Sequence, residues 1–159
     1  MPQLSPNFQA AGRAAKAFAV VACCSVLAAA GGAQAAGSAV RVSDAWMRLI
    51  IPARPAAGYF TLGNDGATPL VLVGAASPGC GMLMLHRSDN AGGVEQMAMV
   101  PSIPVPAHGS VAFAPGGYHL MCLSPAPSLR HGTTVPVTLK FADGDSVTAE
   151  FPVRNAIGK

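Results

Sequence analysis

The chain has 159 residues, of which 51% are apolar and 11% charged, which is enough for one well-buried core and too little for two full domains. Its formal charge of +3 includes Arg13 and Lys16 in an N-terminal segment of different character, and the remainder holds eight basic residues against seven acidic ones. We therefore expect no nucleic-acid partner and no charge-driven membrane contact in the mature form.

The first 36 residues have the organisation of a secretory signal peptide. Arg13 and Lys16 precede an apolar run over residues 17–30, and small residues fill positions 31–36. We predict a signal peptide at residues 1–35, with cleavage after Ala35, and a single domain at residues 36–159. The apolar run is too short for the roughly 20 residues that a membrane span requires.

A second interpretation of the same segment concerns Cys23. Val20-Val21-Ala22-Cys23 resembles a lipoprotein box, which would tether Cys23 to a membrane. The apolar stretch before this box is short, and short motifs match by chance. We therefore predict a periplasmic protein released from the membrane, with anchoring at Cys23 as the alternative.

From Ala39 onward, Gly, Pro, Asn and Asp interrupt the sequence every eight to twelve residues, and short apolar or alternating runs lie between them. This pattern is typical of an all-β sandwich or barrel. No stretch keeps a helical period over three turns. The predicted strands are 40–42, 45–49, 57–63, 70–75, 82–86, 96–100, 110–113, 118–123, 135–141 and 146–153.

The residue types between these strands indicate tight turns. Asp143-Gly144-Asp145 offers the left-handed backbone that a tight hairpin needs, so it predicts antiparallel pairing of residues 138–141 with 146–150. Pro115-Gly116-Gly117 is another sharp turn, and it leads directly into Tyr118-His119-Leu120-Met121.

Two cysteines, Cys80 and Cys122, remain after removal of the signal peptide. Thiols of exported proteins tend to pair, so a disulfide between them is expected, with metal binding by one or both thiols as the alternative. Strict alternation would place Cys80 on the His86 side of its strand and Cys122 opposite His119. We expect a bulge at Gly81 to resolve this conflict.

Methionine and histidine accumulate in the middle of the chain. His119 and Met121 are two residues apart on a predicted strand, so an imidazole and a thioether point to the same side. His86 and Met97 form a second such pair if their strands make a hairpin across residues 90–93. These ligand types together select a soft ion such as Cu(I) rather than Mg, Ca or Zn. The other methionines of this region, Met82, Met84 and Met99, are interpreted individually as core residues.

The spacing His86-x10-Met97-x21-His119-x-Met121 resembles the signature of the periplasmic copper chaperone family PCuAC. Similar segments include residues 42–46, 57–64, 105–109 and 115–121, and the likeness extends over about residues 40–153. The resemblance implies a cupredoxin-like or immunoglobulin-like β-sandwich in which His86, Met97, His119 and Met121 hold Cu(I). Many relatives have Met after the first His, whereas Arg87 stands here and would place a cation beside the ion.

The family resemblance also implies a role and partners. It predicts a chaperone that delivers Cu(I) for assembly of the copper A centre of a respiratory oxidase or for copper homeostasis. We expect the protein to be a monomer. The copper acceptor would be an oxidase subunit or another periplasmic copper or thiol carrier.

Two other functions remain open. A blue-copper electron-transfer protein would need a thiolate with two His and a weak Met, and Cys122 supplies a thiolate on paper. A metal-free binding module would use its methionines only for packing. An enzyme is the least supported interpretation, because the sequence shows no nucleophile elbow, phosphate loop or nucleophile-base pair.

Overall fold

The computed structural model describes residues 39–91 and 94–159. The predicted signal peptide and Cys23 lie outside this range, so both stay predictions. Among the described residues there is no helix of the length and apolar character that crossing a membrane requires.

The described residues form ten strands joined by turns and loops, and the strands form two layers that face each other. The strands are β1 Val40–Arg48, β2 Ala56–Asn64, β3 Leu70–Ala76, β4 Cys80–Ala91, β5 Val94–Met99, β6 Ile103–Val105, β7 Gly109–Phe113, β8 Tyr118–Pro125, β9 Thr134–Phe141 and β10 Ser146–Arg154. One layer has the order β5-β4-β8-β7-β2-β1, with β8 also paired to β2, and the other has the order β10-β9-β3-β6. The predicted all-β sandwich is therefore confirmed.

The two layers are joined along one side by a parallel pairing of β1 with β10, in which Met47 faces Val153. On the site-bearing layer, β8 runs antiparallel to β4 and to β2, so it lies in the interior of that layer. A strand with partners on both sides is held more firmly than an edge strand. The fold thus fixes β8 at the centre of the surface that bears the predicted ligands.

The core lies between the layers and is built by strand alternation. In β9, Val135, Val137 and Leu139 are buried and their neighbours are not. β4 contributes Leu83 and Leu85 to the same core. Because side chains of a strand point alternately to opposite faces, inward burial of these residues turns the intervening ones toward solvent.

The structure differs from the predicted strands in three places. β1 is one continuous strand, since a bulge between Ser43 and Trp46, with Asp44 at φ 53°, absorbs the interruption that suggested two strands. β4 continues past His86 to Ala91. The three-residue strand β6 was missed, because Pro104 disfavours a central strand but is tolerated at the edge, where β6 lies.

The predicted hairpin at Asp143-Gly144-Asp145 is confirmed. Ser146 pairs with Lys140 and Thr148 with Thr138 in antiparallel register. Gly144 has φ 94°, a backbone conformation that glycine adopts without strain, and the Asp145 amide donates a hydrogen bond to Oδ1 of Asp143.

A disulfide joins Cys80 in β4 to Cys122 in β8, with 5.4 Å between the two Cα atoms. The expected bulge at Gly81 is absent, because the β4–β8 register is even from Cys80 opposite Pro125 to His86 opposite His119. The irregular backbone lies instead in β8, where Ser124 has φ 48°. A Cβ at Gly81 would lie 3.0 Å from the Cβ of Ser124, so a larger residue at position 81 would require β4 or β8 to shift locally.

The disulfide generates the first prediction. Replacing both Cys80 and Cys122 with Ala should lower the free energy of unfolding by about 3 to 4 kcal/mol, because the bond closes a loop of roughly 40 residues in the unfolded chain. Urea unfolding of the mature protein, compared with the variant, measures the loss. Intact mass after alkylation without reductant gives the control: two modified thiols in the native exported protein would contradict the bond.

Candidate metal centre

The pairing of β4 with β8 brings the predicted histidines together. His86 is directly opposite His119, and Met84 is directly opposite Met121. Directly opposite residues of antiparallel strands point to the same face, with Cβ atoms about 4.5 to 5.5 Å apart. His86, His119 and Met121 therefore share the outer face of the six-stranded layer, which is the face turned away from the core.

The two imidazoles are close and differently held. Their ring centroids are 5.7 Å apart, with the rings inclined at 61°. His119 is only 4% exposed, and its Nδ1 lies 3.2 Å from the carbonyl oxygen of Gly117. In the tautomer that donates this hydrogen bond, Nε2 carries the lone pair and is available as a ligand. Gly117 is the last residue of the predicted Pro115-Gly116-Gly117 turn, so this turn orients the ring.

His86 has a buried nitrogen without a hydrogen-bond partner, Nδ1. A buried polar atom that lacks a partner costs free energy, and such an atom in a native fold requires an explanation. Burial, together with the nearby His119, lowers the pKa of His86 below its ordinary value of 6.5. A ring that resists protonation keeps a lone pair available for a metal ion.

β5 supplies the remaining methionine, but not in the predicted register. Met97 is opposite Ser88, whereas Met99 is opposite His86. Both methionines share the outer face, and they are 56% and 61% exposed. Met97 is distinguished from Met99 because it lines the same cavity as His119 and Met121.

This cavity is open to solvent and has a volume of about 470 Å³. Its described lining has no Asp or Glu and includes one cation, Arg48, whose guanidinium lies 5.2 Å from the centroid of the Tyr59 ring. No group of three or more His, Cys, Asp or Glu suited to a metal ion occurs among residues 39–91 and 94–159. The donors are therefore imidazole and thioether, which suits a soft ion and not a hard one.

Arg87 does not face the histidines. By alternation its side chain is on the opposite side of β4 from His86. Its guanidinium lies 5.6 Å from the centroid of the Tyr118 ring, and its Nε is 3.0 Å from Oδ1 of Asp89. The charge of Arg87 is thus directed away from the candidate site, which removes the reason for expecting it to repel an ion there.

The interpretation of three methionines as core residues is wrong in the structure. Met82, Met84 and Met99 are not core residues: they lie on the outer face, and Met82 and Met99 are 55% and 61% exposed.

The sequence did not reveal the aromatic support of the site. The Tyr59 ring lies 6.4 Å from that of His119, and Trp46 lies 5.0 Å from Tyr59. The guanidinium of Arg154 lies 5.8 Å from the Trp46 ring. The alternation of β2 placed Tyr59 on one face, but only the β2–β8 pairing shows that this is the face of His119.

The chain matches the family of LpqE-like proteins over residues 40–153, which includes nearly every described strand. It belongs to the LpqE-like family. This is the PCuAC family that the sequence signature resembles. A relative from Leifsonia xyli subsp. xyli, named "Putative lipoprotein Lxx21020", is 34% identical over 128 residues, or 80% of this chain and 75% of the relative.

Solved structures of the PCuAC family share this architecture. The Cu(I) form of DR1885 from Deinococcus radiodurans is 32% identical, with 78% of this chain and 85% of that chain covered at a TM-score of 0.60. The apo form of DR1885 is covered to 96% at a TM-score of 0.58. The copper-bound PCuAC domain from PmoF2, 21% identical with a TM-score of 0.61, matches 74% of this chain and 93% of its own length, and it supports the fold alone.

The histidine pair generates a prediction about pH. Metal binding competes with protons at imidazole, and an ordinary histidine titrates near pH 6.5. The lowered pKa of His86 delays its protonation to more acidic conditions. We expect the apparent Cu(I) affinity to change little from about pH 8 to pH 6.5 and then to fall toward pH 5. Competition with a Cu(I) chelator at each pH measures this, and a flat profile would contradict histidine ligation.

The same shift predicts the stability of the metal-free protein. Because the unfolded chain takes up a proton at His86 more readily than the folded chain does, stability should be full above about pH 6.5 and should fall as the pH decreases below it. His86→Leu removes this proton uptake, so its stability should depend less steeply on pH in the same range.

Proposed function

We propose that this chain is an exported copper chaperone that binds one Cu(I) ion through His86, Met97, His119 and Met121 and passes it to an acceptor. The observation that carries the proposal is the opposed pair His86 and His119, with ring centroids 5.7 Å apart and Nδ1 of His86 buried without a partner. Met121 lies two residues from His119 on the same face of β8. Met97 lines the same cavity as His119 and Met121.

The chemistry of these donors supports a monovalent copper ion. Two neutral imidazoles and two neutral thioethers bring no charge to the site, so a divalent cation would gain no compensation from them. Arg48 on the cavity wall adds an unfavourable charge that grows with the charge of the ion. Soft thioether sulfur favours Cu(I) over the harder divalent ions. A 32% identical family member whose structure contains Cu(I) supports the same choice.

Transfer to a partner requires that the site be reachable. His119 is buried, whereas Met97 at the cavity rim is 56% exposed. An acceptor's ligand can therefore approach from the Met97 side and replace exposed donors before the buried imidazole releases the ion. We infer that the acceptor is a copper-binding subunit of a respiratory oxidase or an envelope carrier that bears thiols, and that the chaperone acts as a monomer.

The blue-copper alternative is disfavoured by the position of Cys122. Its side chain is fully buried, belongs to the core cluster, and is bonded to Cys80. Alternation places it on the opposite face from His119 and Met121. A blue-copper site needs a free thiolate beside the histidines. Intact mass after alkylation without reductant also tests this alternative, since it shows whether Cys122 has a free thiol.

A matched pair of variants tests the ligand set. Met97→Leu should lower Cu(I) affinity at least about tenfold, since even residues that only orient metal ligands cost this much when replaced. Met99→Leu, two residues away on the same face and equally exposed, should change it little. Met121→Leu and His119→Ala should behave like Met97→Leu. The measurement is anaerobic competition with a Cu(I) chelator.

Either of two results would contradict this assignment. Equal affinities for the Met97 and Met99 variants would show that the cavity does not select the ligand. A larger loss for Met99→Leu would show that strand register, which places Met99 opposite His86, selects it instead. Thermal unfolding of each metal-free variant controls for loss of structure.

Export also needs a test, because the family and the Leifsonia xyli relative are both described as lipoproteins. These descriptions favour an exported chain and give weight to the Cys23 alternative. We propose that the mature protein begins at Ala36 and is released into the periplasm. Intact mass of the exported protein should match this start. Labelling by palmitate that is lost in Cys23→Ala would contradict release and support anchoring.

A further inference from the structure

The outer face of the six-stranded layer carries more sulfur than the proposed ligand set uses. Met82 and Met84 lie on β4, on the same side as His86, since they precede it by four and two residues. Met82 is 55% exposed and Met84 is half-buried, so neither is needed to fill the core. Thioether sulfur is a ligand for soft ions, so this surplus requires a chemical explanation.

The extra methionines continue directly from a proposed ligand. Met84 is opposite Met121, at a Cβ separation of about 4.5 to 5.5 Å for such pairs. Met82 is one same-face step farther along β4, about 6.5 to 7 Å from Met84. A methionine side chain has three rotatable bonds, so each neighbouring pair can bring two sulfur atoms to one ion.

Exposure increases steadily along this row. His119 is 4% exposed, Met121 and Met84 are half-buried, and Met82 is 55% exposed. The residue opposite Met82 is Leu123, so the described neighbour at the outer end is apolar and uncharged. The thioethers of Met82, Met84 and Met121 therefore lie between the solvent-exposed end of this row and the histidine pair.

The disulfide holds both strands of the row in place. Cys80 is two residues before Met82, and Cys122 directly follows Met121. Fixing β4 against β8 at this point keeps the opposed methionines in register. A preorganised pair of ligands loses less conformational freedom on binding.

We propose that Met82 and Met84 form a second, weaker Cu(I) site, which extends outward from Met121 and gives the ion a route between solvent and the histidine pair. The inference rests on the proposed function for the identity of the ion. Two thioethers without an imidazole bind less strongly than the mixed set, so the second site fills after the first.

The test is a titration of the mature, disulfide-bonded protein labelled with 13C at its methionine methyl groups. Cu(I) is added anaerobically as its acetonitrile complex, and methyl resonances are followed by NMR. The first equivalent should shift the methyl groups of Met97 and Met121. Excess Cu(I) should then shift those of Met82 and Met84 in a separate phase.

Variants separate the two sites. Replacing both Met82 and Met84 with Leu should abolish the second phase and leave the first unchanged. Leu123→Met, which adds a thioether opposite Met82, should make the second phase saturate at lower Cu(I). Val73→Met adds a thioether at a 43% exposed position in the other layer and should alter neither phase.

The outcomes distinguish this inference from the proposed function. Methyl groups of Met82 and Met84 that do not move in excess Cu(I) would overturn the second site while leaving the first intact. If Met97 and Met121 do not respond but Met82 and Met84 do, the proposed ligand set fails and the methionine pair stands. Persistence of the second phase in the double Leu variant would also overturn the inference.

Discussion

The register between β4 and β8 is the constraint on which the candidate site depends. The pairing of His86 with His119 and of Met84 with Met121 exists only if Leu85 is opposite Leu120 on the other face. A slip of either strand by one residue would turn its leucine toward solvent and its histidine into the core. Burial of Leu85 and Leu120, which are 3% and 0% exposed, thus stabilises the register that aligns the candidate ligands. Burial of apolar side chains on the inner face of β4 and β8 thus determines which side chains lie opposite each other on the outer face.

Sequence reasoning succeeded where a single strand decided the outcome. Alternation within β8 put His119 and Met121 on one side without knowledge of any neighbour. It failed where two strands had to be aligned: the sequence could not show that Met99, rather than Met97, is opposite His86, since the register of β4 with β5 depends on how long the strands are. Predicted to end at His86, β4 in fact continues to Ala91 and pairs with Val94. Because β4 is longer than predicted, the turn lies between Ala91 and Val94 and not across residues 90–93.

The burial of the methionines could not be predicted for a different physical reason. Met is apolar and flexible, so the core is its default environment. In a two-layer sandwich, however, each strand has one face toward the core and one toward solvent. Residues two apart share a face in either case, so their spacing does not show which face is buried. In β4 the leucines at positions 83 and 85 occupy the inward face, which leaves Met82 and Met84 outside. The leucines at the neighbouring positions, and not the methionines themselves, indicate which face of β4 is buried.

Donors without negative charge, such as those of the candidate site, can be held close together by the fold when no metal is bound. Carboxylates or thiolates packed this closely would repel each other, and their burial would be costly without the ion. The proposed donors are imidazoles and thioethers, which bring no negative charge to the site, and Nδ1 of His86 is the buried nitrogen there that lacks a hydrogen-bond partner. At the proposed site, copper would add a positive charge near Arg48, and the described cavity lining has no Asp or Glu to offset it. A site without charged donors can keep its form when no ion is bound, which suits the proposed transfer of copper to an acceptor.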